Sequence, residues 1–221
     1  MTIFVGEISS ASVDAAIRSL DRTEDKTLVI TSAGGDPSAA IRLADALRQR
    51  GSTLEVARYC ISVCAQFVAM GAPSVSVRPG SIVAFHNSAV AGSLLAQMDP
   101  RSIPPAVVAQ AAAEKEVYAR WGIDPDALID QFTGLQPYCT YGGGDRRRGY
   151  KSGAQFWTPP RAWMTKHHPG RVTGWWPSSQ IETERAAAEV RDDLPALQGF
   201  RFGPAKPWSD MGRRLIATAC Q

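Results

Sequence analysis

From the N-terminus to His86, short β-branched runs alternate with longer stretches of helical period. TLVIT (27–31) reads as a buried strand, and the segment SAGGD follows it. The helix predicted next is well punctuated. Asp36 can cap it, Pro37 suits its first turn, and Ala40, Leu43, Ala44 and Leu47 share an apolar face. Arg48 and Arg50 lie at the negative end of its dipole, and Gly51 supplies the stop. TLEVA (53–57) predicts another strand, Ser62 to Met70 a helix, and SVSV (74–77) a short strand. Pro79-Gly80 is a turn, and SIVAFH (81–86) a further strand. This alternation predicts an α/β fold with a largely parallel sheet and packed helices.

Beyond His86 the pattern turns helical. Pro105 to Trp121 is Ala-rich, with Glu114, Lys115 and Glu116 expected on a solvated face, and Asp124 to Phe132 predicts a second short helix. The stretch 136–153, QPYCTYGGGDRRRGYKSG, loses periodicity and reads as a Gly/Arg-rich loop insertion. The implied division is a core over 1–135, that insertion, and a C-terminal extension of the same domain over 154–221. A polar helix is expected over 179–197, with a tail of unassigned structure from about residue 200.

Composition narrows the classes. With 221 residues and 44% apolar content, the chain can bury a core as one domain. A net charge of +3 is too mild to indicate nucleic acid. No apolar run approaches the ~20 residues of a membrane span, and MTIFVGEISS does not read as a signal peptide. Four cysteines are too few for a disulfide framework, so cytoplasmic thiols are the default, although a Cys139–Cys220 pair fits the same sequence. GGGDRRRGYK (142–151) reads as a solvated basic loop. Trp157, Trp163, Trp175, Trp176 and Trp208 cover a peptide groove, form a partner surface or build a small second core.

The candidate chemistry centres on Ser62. A strand ending near Tyr59 and a helix beginning near Ser62 place this hydroxyl at a helix start, where unpaired N–H groups favour an anion. A serine needs an adjacent base to attack, and His86 is the histidine of the ordered first half. Gly34-Gly35 follows a strand and lets backbone approach a substrate, and the Val63 amide is a natural second donor to an oxyanion. Each signal alone has a plainer reading: a helix cap, a structural histidine, a turn. Their order gives them weight together. Cys60 and Cys64, flanking Ser62, lack the spacing of a zinc site and read as small packing residues. No metal and no cofactor is expected.

These elements resemble the Clp protease proteolytic-subunit (ClpP) family, and more closely its small bacterial relatives with a Cys-x-Ser-x-Cys-Ala element. Ser32-Ala33-Gly34-Gly35 matches the family's Gly loop, Ser62 its nucleophile, Ala69-Met70-Gly71-Ala72 the end of the following helix, and Pro79-Gly80-Ser81 with IVAFH the strand ending in histidine. The resemblance is good from Thr2 to about Val90 and thins after it. It implies the ββα superhelix shared with crotonases, with Ser62 as nucleophile, His86 as general base, and the Gly35 and Val63 amides as oxyanion hole. The implied activity is a serine endopeptidase acting through an acyl-enzyme on peptide or unfolded protein. An ATP-dependent unfoldase and self-association into a homo-oligomer come with it. One part is unmatched: where the family carries its orienting aspartate, Ala154 precedes Phe156-Trp157-Thr158-Pro159-Pro160. Either Asp145 reaches back from the loop or no acid orients His86. A catalytically silent assembly protein and a crotonase-type acyl-CoA enzyme are the alternatives.

Overall fold

The computed structural model describes residues 1–86, 88–90, 105–136, 138–141, 148–151, 154–193 and 199–209. A parallel sheet runs in the order β1 (Thr2–Val5), β2 (Thr27–Ser32), β3 (Thr53–Ile61), β4 (Ser74–Val77) and β9 (Arg171–Gly174). β5 (Ile82–Ala84) pairs with the far end of β3. Parallel neighbours need crossover connections, and α1 (Ser10–Asp21) and α2 (Pro37–Arg50) supply the first two. The expected α/β class with a largely parallel sheet is the one observed.

Local chemistry accounts for these elements. Asp36 Oδ1 accepts the Ala39 amide at 2.6 Å, capping α2 as its sequence predicts. β1 and α1 add to the predicted elements. Ser9 and Ser12 form a reciprocal capping box at the start of α1, a signal carried by Ser12 in place of the usual Glu or Gln. β3 runs past TLEVA to Ile61 because its two halves have different neighbours. Thr53–Val56 pair with β4 and Tyr59–Ile61 with β5. The register with β2 shifts between Ile30 and Ser32, which pair with Val56 and Cys60.

The sheet has two covered faces. Leu28, Ile30, Leu54 and Val56 meet Leu20, Leu43, Leu47 and Phe67 from α1, α2 and α3 (Cys64–Ala69), all wholly buried. On the other face Tyr59, Ile61, Ile82 and Ala84 pack with Phe156 of β8 (Phe156–Thr158) and with Ala186 and Ala187 of α7 (Gln180–Glu189). The second half of the chain adds α4 (Pro105–Trp121), α5 (Asp126–Thr133), α6 (Arg161–His167) and β10 (Phe200–Phe202), which pairs in parallel with β8. β9 comes from the C-terminal third yet closes an edge of the main sheet.

Three expectations change here, and the choice left open for the tryptophans is decided. Within 136–153, β6 (Tyr138–Tyr141) and β7 (Arg148–Lys151) form an antiparallel pair where a loop was expected. YCTY is aromatic and β-branched enough to pair, a local signal masked by the glycines and arginines beside it. Glu114 is not solvated. Ala111, Glu114, Tyr118 and Trp121 form the inward stripe of α4, and the Glu114 carboxylate accepts the Ala89 amide at 3.0 Å and the Gln110 side chain at 3.2 Å. Burial raises this carboxyl above its ordinary pKa. α7 ends at Glu189, well before residue 197. The tryptophans build core: Trp157 and Trp176 are buried, and Trp163 and Trp175 pack against them.

Trp157 ties the halves together. It exchanges both backbone hydrogen bonds with Phe85 at 2.8 Å, and its indole N–H donates to the Gly203 carbonyl at 2.7 Å. Trp157→Ala is expected to cost about 3–5 kcal/mol in urea unfolding, from lost packing and cavity formation. A loss below about 1 kcal/mol would show that the indole does not fill this core.

Candidate active site

Three adjacent parallel strands, β2, β3 and β5, end on the same edge of the sheet. In α/β sheets that carboxyl edge is where ligands bind. Ser62 follows β3 directly, its amide donating to the Ala84 carbonyl at 3.1 Å. His86 stands two residues past Ala84, and the Phe85–Trp157 bond pair fixes the backbone just before it. The two sequence candidates therefore leave neighbouring strands together.

The Ser62 Oγ lies 2.6 Å from His86 Nε2. Ser62 holds φ at +62°, a left-handed turn that costs a non-glycine residue of order 1–3 kcal/mol unless its surroundings enforce it. That turn lifts the side chain off the strand and toward the imidazole. Burial lowers the His86 pKa below its ordinary 6.5, which keeps the ring neutral and able to accept a proton. Phe156 meets the ring edge-on at a centroid distance of 6.0 Å. Among the described residues, no carboxylate hydrogen-bonds to the imidazole. Asp145 lies outside the described residues.

Peptide geometry orients the two candidate donors. In a trans peptide the carbonyl and the following N–H point in opposite directions. The Gly34 carbonyl accepts from Ile8 at 2.8 Å, so the Gly35 N–H in the same plane points away from Ile8. The Ser62 carbonyl accepts from Gln66 at 2.9 Å inside the helix, so the Val63 N–H points out of the helix start. The glycines are sterically required. A Cβ on Gly35 would stand 2.2 Å from the Ile8 carbonyl oxygen, and one on Gly34 would stand 2.8 Å from Ser62 Cβ. Ile8 and Ser32, whose hydroxyl accepts the Gly34 amide at 3.1 Å, hold this loop. The Ile8 contact depends on β1 lying beside β2, whereas the Ser32 contact is a local turn between residues two apart.

A cleft of about 570 Å³ opens above the pair, lined by Ala33, Ser62, His86, Leu135, Ala154, Gln155 and Phe156. Ala154 thus borders the site without offering an acid. The tryptophans do not line it.

The cysteines depart from expectation. Cys60 and Cys64 are joined by a disulfide across a Cα separation of 5.2 Å, with Ser62 at its centre. They are buried, as packing residues would be, but they are not thiols. An i, i+4 pair suggests a shared helix face. Here Cys60 belongs to a strand and Cys64 to the helix after the turn, which brings the sulfurs together. The expectation of a cytoplasmic chain rested on free thiols, and this bridge removes that support. Cys220 and the Cys139 side chain lie outside the described residues. No helix among the described residues is long and apolar enough to cross a membrane.

No protein-family model matches the chain, and no curated protein matches its sequence. Among solved structures, a ClpP1 mutant from Listeria monocytogenes is similar over 82% of this chain and 93% of its own, with 11% sequence identity and a TM-score of 0.46. At that level of likeness, function has to be read from the site itself.

Proposed function

We propose that the chain is a serine hydrolase that cleaves peptide bonds through an acyl-enzyme. The observation that carries this is the 2.6 Å contact between Ser62 Oγ and His86 Nε2 at the floor of a cleft. His86 takes the Ser62 proton on Nε2 as Oγ attacks the carbonyl carbon. The Gly35 and Val63 amides, turned outward by the hydrogen bonds of Gly34 and Ser62, receive the oxyanion. His86 then returns the proton to the leaving amine, and water hydrolyses the ester. The peptide as acyl donor comes from the resemblance of the Ser32–Gly35, Ser62 and IVAFH elements to the Clp subunit. Self-association and an unfoldase partner rest on that resemblance alone.

A fluorophosphonate probe tests the nucleophile. Wild type is expected to label once per chain and Ser62→Ala not at all. Folded wild type that stays unlabelled at every pH would favour the silent assembly protein. Gly34→Ala is expected to slow labelling at least about tenfold, because the new Cβ would stand 3.0 Å from Ser62 Oγ. An unchanged rate would separate Gly34 from the site.

The pH dependence follows from the sign of the His86 shift. The base must be neutral, and burial lowers its pKa below 6.5, so the acid limb of the labelling profile is expected to have its midpoint below pH 6.5. An acid limb centred above pH 6.5 would contradict a desolvated His86.

A further inference from the structure

The Cys60–Cys64 bridge is not needed by the chemistry above, yet it encloses the residue on which that chemistry turns. Cys60 is held on both sides, paired with Ser32 of β2 and Val83 of β5. Cys64 opens α3, which is wound as a π-helix, a form that recurs at functional sites. Between them the backbone reverses through Ser62 at φ +62°. Two hydrogen bonds restrain that turn, from Ser62 N–H to Ala84 and from Gln66 N–H to the Ser62 carbonyl. The disulfide is the covalent restraint directly across it.

We propose that this bridge is a positioning element for Ser62, holding its left-handed turn so that Oγ meets His86 and the Val63 amide points outward. The proposal rests on the reading of Ser62 as nucleophile. Three observations favour positioning over general stabilisation or reversible switching. A bridge spanning four residues restricts the unfolded chain far less than a long-range one, so its effect concentrates on the segment it closes. That segment holds Ser62, a cleft-lining non-glycine residue with its φ at +62°. Both cysteines have no exposed surface, which shields the bond from reductants in the folded chain. The bond is therefore set during folding: the two thiols lose two electrons and two protons to a small-molecule disulfide, which becomes two thiols. It follows that the active chain matures in an oxidising compartment.

The test compares wild type with Cys60→Ala/Cys64→Ala in fluorophosphonate labelling rate per folded molecule, folding being followed by circular dichroism. In parallel, wild type refolded with and without a trialkylphosphine is labelled, denatured and alkylated, and the redox state of residues 60–64 is read by mass spectrometry on labelled and unlabelled chains. The expected result is a folded double variant labelled at least about tenfold more slowly, with wild-type adduct confined to disulfide-bearing chains. On a peptide substrate the loss is expected in kcat with KM little changed. A lowered Tm with an unchanged labelling rate would overturn the proposal, leaving the bridge a stabilising staple. A double variant and a reduced chain that both fail to fold would overturn it too, making the bridge a condition of folding. Oxidised, folded wild type that does not label would remove the nucleophile reading and this proposal together.

Discussion

The parallel pairing of β3 with β5 is the constraint on which the rest of the site depends. Tyr59, Cys60 and Ile61 pair with Ile82, Val83 and Ala84, and the Ser62 amide extends that ladder by one hydrogen bond. Because the strands are parallel and in register, the residues just past their ends emerge side by side. A shift of one residue would turn the Ser62 or His86 side chain to the opposite face of the sheet. Tyr59, Ile61, Ile82 and Ala84 are buried against one cover and Cys60 and Val83 against the other, so both faces of this strand pair are packed.

That cover is itself part of the site. Phe156 packs beneath the sheet with Ile61 and Ala84 and also meets the His86 ring. Trp157, one residue on, holds Phe85 in place through its backbone. The C-terminal third therefore sets the position of a residue chosen from the first ninety. Its apolar packing also covers part of the imidazole, and that burial lowers its pKa.

The sequence made the first half readable because its signals are local. Asp36, Pro37 and the β-branched run of TLVIT each declare an element on their own, and Ser62, His86, Gly34 and Gly35 follow strands that could be recognised. What escaped depends on partners distant in sequence. Glu114 looks like one of three charged surface residues until α4 is seen to turn it inward toward Ala89. Cys60 and Cys64 look like helix neighbours until the strand is found to run to Ile61. The role of Trp157 requires knowing that β8 lies beside Phe85. In each case the deciding contact crosses a turn or a fold layer, and no periodicity records it.

The central claim is that one hydroxyl shares its proton with one imidazole. Nitrogen-15 NMR of the His86 ring tests it most directly, by comparing wild type with Ser62→Ala at pH 7. The account requires a neutral ring protonated on Nδ1, with an Nε2 resonance that moves when the hydroxyl is removed. An Nε2 signal identical in the two proteins, or an imidazole already cationic at that pH, would contradict it.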